Sequence, residues 1–106
     1  MKYLVSGSGG PGFGSPEEAK EILENVVHPS FEAMIQLESE GKILASGLPV
    51  GDRSVVFVLE ASSHEEADSI IQNMSIWPML EWQVIALQGV AERLSQEKAL
   101  LAKLAG

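Results

Sequence analysis

The chain has 106 residues, 45% of them hydrophobic, which allows one folded domain over 1–106 and excludes both a disordered chain and two independent cores. Its 15 acidic and 7 basic residues give a net charge of −8, with no cluster of cations, and such a surface repels phosphate backbones and anionic membranes. Cysteine is absent, which excludes disulfides and sulfur-ligated metals, and no apolar run approaches the roughly 20 residues of a membrane span. A cytoplasmic protein is therefore expected, with no nucleic-acid or membrane partner; a small organic molecule or another copy of the chain fits better.

Lys2 to Ser6 predicts a first strand, ended by glycines. Gly7-Ser8-Gly9-Gly10-Pro11-Gly12 then matches G-x-G-x-x-G, the letters of a dinucleotide-binding loop. Its context argues against that use. The following helix starts near Pro16, after the motif has ended, and Pro11 removes an N–H from any phosphate cradle. A mobile lid over a cavity is the functional reading, and a flexible connector is the bland one.

Ser15-Pro16-Glu17-Glu18 carries a helix start with capping-box spacing. Ala19, Ile22, Leu23, Val26 and Val27 continue it at helical spacing. His28-Pro29-Ser30 predicts a kink or break, with the helix restarting through Phe31, Met34 and Leu37 and stopping at Gly41. Lys42 to Leu48 and Arg53 to Ala61 read as a hairpin around Pro49-Val50-Gly51-Asp52. Ser62 or Ser63 caps the next helix, whose stripe is Ala67, Ile70, Ile71 and Met74. Trp77-Pro78 ends that region, Leu80 to Leu87 is a fourth strand, and a last helix carries Val90, Leu94, Leu101 and Leu104.

The order β-α-β-β-α-β plus a terminal helix predicts an α+β, ferredoxin-like domain with an antiparallel four-stranded sheet. Val55-Val56-Phe57-Val58-Leu59 is apolar toward both faces, so a second subunit is expected over the face that the helices leave open.

Three segments carry a family resemblance. Gly41-Lys42-Ile43-Leu44-Ala45-Ser46-Gly47, Ser54-Val55-Val56-Phe57-Val58 and Ile76-Trp77-Pro78-Met79-Leu80-Glu81-Trp82-Gln83-Val84 resemble the muconolactone isomerase-like proteins, over roughly Phe31 to Leu87. That resemblance implies a dimeric α+β barrel, in which two sheets face each other. It also implies an isomerase-like reaction on a small organic acid or lactone. Gly41 to Pro49 is similar to the YCII-related proteins as well, but their Asp-Pro pair is replaced here by Trp77-Pro78.

Two side chains are the candidate proton carriers. Glu81 alternates with Trp82 and should point, with Gln83, into the space between two sheets, where a half-apolar setting suits a general acid or base. The alternative for Glu81 is an interface ion pair, for instance with Arg53. His28, with an unperturbed pKa of about 6.5, could be aimed into a cavity by the irregular backbone at Pro29, or simply end a helix in solvent. Gln83, Tyr3, Trp77 and Ser46 are candidate substrate-binding residues, with structural roles as their alternatives. His64 and Asp68 share a helix face, but no third ligand follows, so no metal or other cofactor is expected. The leading function is proton transfer on a small acid or lactone. The alternative is a non-catalytic ligand-binding or oligomeric scaffold protein on the same fold.

Overall fold

The computed structural model describes residues 1–10 and 12–106. Strand β1 (Lys2–Ser8) is followed by helix α1 (Pro16–Ile22), a π-helical turn (Leu23–Val27) and helix α2 (His28–Ser39). A hairpin of β2 (Ile43–Gly47) and β3 (Val55–Glu60) leads to helix α3 (His64–Gln72). A short 3₁₀ turn (Trp77–Met79), strand β4 (Glu81–Leu87) and helix α4 (Val90–Ala105) complete the chain. The four strands pair antiparallel in the order β2-β3-β1-β4, which is the ferredoxin-like sheet.

Ser15 caps α1 as expected, and of Ser62 and Ser63 it is Ser63 that caps α3. Ser15 Oγ accepts the Glu18 amide at 3.1 Å, and Ser63 Oγ accepts the Glu66 amide at 3.1 Å. The Glu18 carboxylate reaches back one residue further than in a standard capping box and accepts the Gly14 amide at 3.2 Å.

Of the expected kink or break at Pro29, the structure shows no break but an irregularity just before it. Helical backbone runs from Pro16 to Ser39, and the misfit is absorbed one turn earlier by the π turn, where the His28 amide donates to the Leu23 carbonyl. Proline has no N–H and its ring crowds the carbonyl four residues back; widening the preceding turn relieves both problems. The Ser30 hydroxyl donates to the Val26 carbonyl at 2.8 Å and accepts the Ile76 amide at 3.0 Å, which ties this irregular turn to the segment before β4.

The core lies between the helices and one sheet face. Tyr3, Val5, Val55, Phe57 and Leu59 point into it and meet Met34, Ala67, Ile71, Met74 and Ile76. Register places Trp82 beside Gly7 and Val84 beside Val5 on this same face. Leu4, Val56, Val58 and Ile85 share the opposite face with Ser6, Ser8, Glu81 and Gln83, as strand alternation requires. No helix among the described residues is long and apolar enough to cross a membrane.

Close approach explains two glycines, one near the end of β1 and one in the loop after it. A Cβ on Gly7 would lie 2.8 Å from Leu80 Cδ1 and 2.9 Å from the Trp82 ring. A Cβ on Gly10 would lie 2.6 Å from the Arg53 carbonyl oxygen, whose acceptor the Gly10 amide already uses at 3.0 Å. The next strand, β2, lies beside β3 and not beside β1, so this loop does not open the adjacent parallel βαβ unit of a dinucleotide site. The proline at position 11 lies outside the described residues.

Candidate functional site

A cavity of about 270 Å³ lies beneath the glycine-rich loop, at the end of the sheet where β1 leaves and β3 enters. Its walls are overwhelmingly apolar: Leu23 and Val27 come from the π turn, Phe31 from α2, Ile76 and Leu80 from the segment before β4. Gly10 and Phe13 of the loop form part of the lining. Polar groups come from Asp52, Arg53 and Ser54, just before β3. An apolar chamber with a few convergent polar groups is the usual form of a small-molecule site.

The polar side is held in place locally. The Asp52 carboxylate accepts the Arg53 amide at 2.8 Å through one oxygen and the Ser54 hydroxyl at 2.9 Å through the other. The Arg53 guanidinium carbon lies 4.5 Å from the centre of the Phe13 ring, a cation–π contact that clasps the loop to the hairpin. The π turn matters here too, because it sets which side chains of the long helix reach the cavity.

The sequence candidates are not gathered at this cavity. Glu81 and Gln83 lie on the open sheet face, where they line a shallow polar groove with Ser6 and Ser8. Tyr3 and Ser46 point to the helix side. The Tyr3 hydroxyl sits 2.7 Å from His64 Nδ1, and the Ser46 hydroxyl donates to Glu38 at 2.6 Å. His28 is exposed at the start of α2; its neighbour Val27, not His28, lines the cavity. Trp77 is 39% exposed, and its carbonyl accepts the Trp82 indole N–H at 2.9 Å. The six candidates therefore do not surround a single ligand position within one chain.

Phe13, Phe31, Asp52 and Arg53 were not singled out as site residues from the sequence. The available signal was slight: an acid-base-hydroxyl triplet, Asp52-Arg53-Ser54, directly before an apolar strand. Among the described residues no group of three His, Cys, Asp or Glu side chains is placed to hold a metal, and His64 with Asp68 gains no third ligand.

No family model matches this sequence, and no curated protein matches it. Solved structures do. A muconolactone isomerase superposes with a TM-score of 0.68 over 84% of this chain and 90% of its own, at 18% identity. The chain has the muconolactone isomerase fold. A 5-chloro-2-hydroxyhydroquinone dehydrochlorinase from Burkholderia phenoliruptrix AC1100, in complex with 2,5-dihydroxybenzoquinone, superposes with a TM-score of 0.59 over 87% of this chain and 98% of its own, at 16% identity. At such identities the likeness establishes the fold. It agrees with the sheet order and with the resemblance carried by residues 41–47, 54–58 and 76–84.

Proposed function

We propose that this protein is a small-molecule enzyme that moves a proton on a compact, largely apolar organic acid or lactone held beneath the glycine-rich loop. The observation that carries the reading is the apolar cavity of about 270 Å³ with Asp52, Arg53 and Ser54 along one side. A ligand carboxylate or lactone carbonyl would face Arg53, its ring or chain would meet Phe31, Leu23 and Leu80, and Asp52 would take or return the proton. The fold neighbours, an isomerase and a dehydrochlorinase, act on compact organic molecules, which supports the substrate class in outline. The loop would serve as the lid that excludes water.

The test is deuterium exchange at activated C–H positions across a panel of small lactones and unsaturated carboxylic acids. Wild type should exchange one class of compound, and Asp52→Asn should lower that rate by about 10²–10⁴-fold, the usual contribution of a positioned base. Tight binding without exchange anywhere in the panel would instead favour a non-catalytic binder.

A second reading keeps Glu81 as the acid or base, with Gln83 orienting substrate and His28 as a further proton carrier. It rests on the polar groove of Ser6, Ser8, Glu81 and Gln83, framed by Leu4, Val56, Val58 and Ile85. A second copy laid over this sheet face would turn the groove into a closed chamber. Loss of exchange in Glu81→Gln with full activity in Asp52→Asn would select this reading.

A further inference from the structure

Helix α4 stands away from the domain. It has 16 residues, about 24 Å at 1.5 Å per residue, and none of them is buried. The molecule is accordingly 69 Å long but only 26 and 21 Å across. Yet α4 is amphipathic: Val90, Leu94, Leu101 and Leu104 fall on one stripe, and they are between 53% and 87% exposed. A lone helix of this length with its apolar stripe in water is marginal, so it needs a partner surface.

The same chain carries an unfilled groove on the helix side of the sheet. It runs between α3 and the edge strand β4, lined by His64, Ala67, Asp68 and Ile71 on one wall and Val84 and Ala86 on the other, with Tyr3 at its floor. Val84 faces the core side of the sheet yet remains 45% exposed, because no helix among the described residues covers β4 there.

We propose that α4 of one copy docks into the α3–β4 groove of a second copy. Charge selects this occupant. On α4 Arg93 pairs with Glu97 at 2.8 Å, which leaves Lys98 and Lys103 against Glu92, so the helix is net positive on a chain of −8. The groove wall it would meet is the acidic helix α3, with Asp68 on the lip and Glu65 and Glu66 at its start. The leucine stripe would cover Val84 and Ala86, and the Tyr3–His64 hydrogen bond would be closed off from water. This exchange is independent of which cavity performs chemistry.

The absence of native cysteine makes the test direct. Leu94→Cys or Leu101→Cys on one tagged chain is co-expressed with Ala86→Cys on a differently tagged chain, all at positions exposed in the single chain. Mild oxidation should give a disulfide-linked heterodimer with at least one α4 position, and the wild-type chain should have a native mass of at least two copies. A monomeric mass at micromolar concentration would overturn the proposal. So would a disulfide within a single chain carrying both cysteines, which would mean that α4 folds back on its own groove. Preferential α4-to-α4 disulfides would also overturn it, by pairing the helices with each other.

Discussion

The Gly10 amide donates to the Arg53 carbonyl at 3.0 Å, which helps join the loop after β1 to the hairpin two residues before β3. Any side chain at position 10 would press on Arg53, with a Cβ 2.6 Å from its carbonyl oxygen and 2.7 Å from its own Cβ. Gly10→Ala should therefore lift the loop and cost about 1–3 kcal/mol, in the range of other overpacking substitutions. Gly12→Ala is the control, since nothing lies within 4 Å of its Cβ. Urea denaturation of both variants checks the difference; equal midpoints would show that the loop does not bear on Arg53.

Ser30 is 1% exposed and holds two elements together through one hydroxyl. Ser30→Ala leaves the buried Ile76 amide without its acceptor and removes the donor to Val26. A loss of about 1–3 kcal/mol is expected, the cost of a buried polar group left unpaired. Ile76 and the π turn both line the cavity, so ligand affinity should fall with stability. Thermal denaturation with and without ligand measures both effects.

Much of the architecture was legible because local signals agreed with one another. Ser15 and Ser63 marked helix starts, the alternation in β4 put Trp82 and Glu81 on opposite faces, and the order of elements implied the sheet. Pro29 misled because its effect depends on the turn before it, which a π-helical step can widen. The cavity was illegible for a different reason. Its walls come from a loop, a helical irregularity, a hairpin and a 3₁₀ turn, and no periodicity links Phe13 to Phe31 or Arg53. Tyr3 and Glu81 were both legible as sheet residues, yet register sends their side chains to opposite faces.

Glu66 gives a pH dependence with a definite sign. Its carboxylate accepts the Ser62 hydroxyl and, more weakly, the Ser62 amide, which hold it below the ordinary 4.5 against a small opposing effect of burial. With the folded value below the unfolded one, the contribution is fully present above the ordinary carboxylate range and is lost as pH falls through the folded value. Melting temperatures from about pH 6 to about pH 3 should decline less steeply in Glu66→Gln than in wild type. Parallel declines would remove Glu66 from the acid response.

The chamber under the glycine-rich loop, and not the open sheet face, is the proposed place of the ligand. Backbone amide chemical shifts, followed by NMR while small aromatic and lactone carboxylic acids are titrated in, test it most directly. Changes should concentrate at Gly10, Phe13, Leu23, Phe31, Arg53 and Leu80, and disappear when Leu23→Trp fills the chamber. Changes concentrated at Ser6, Ser8, Glu81 and Gln83, undisturbed by Leu23→Trp, would contradict it.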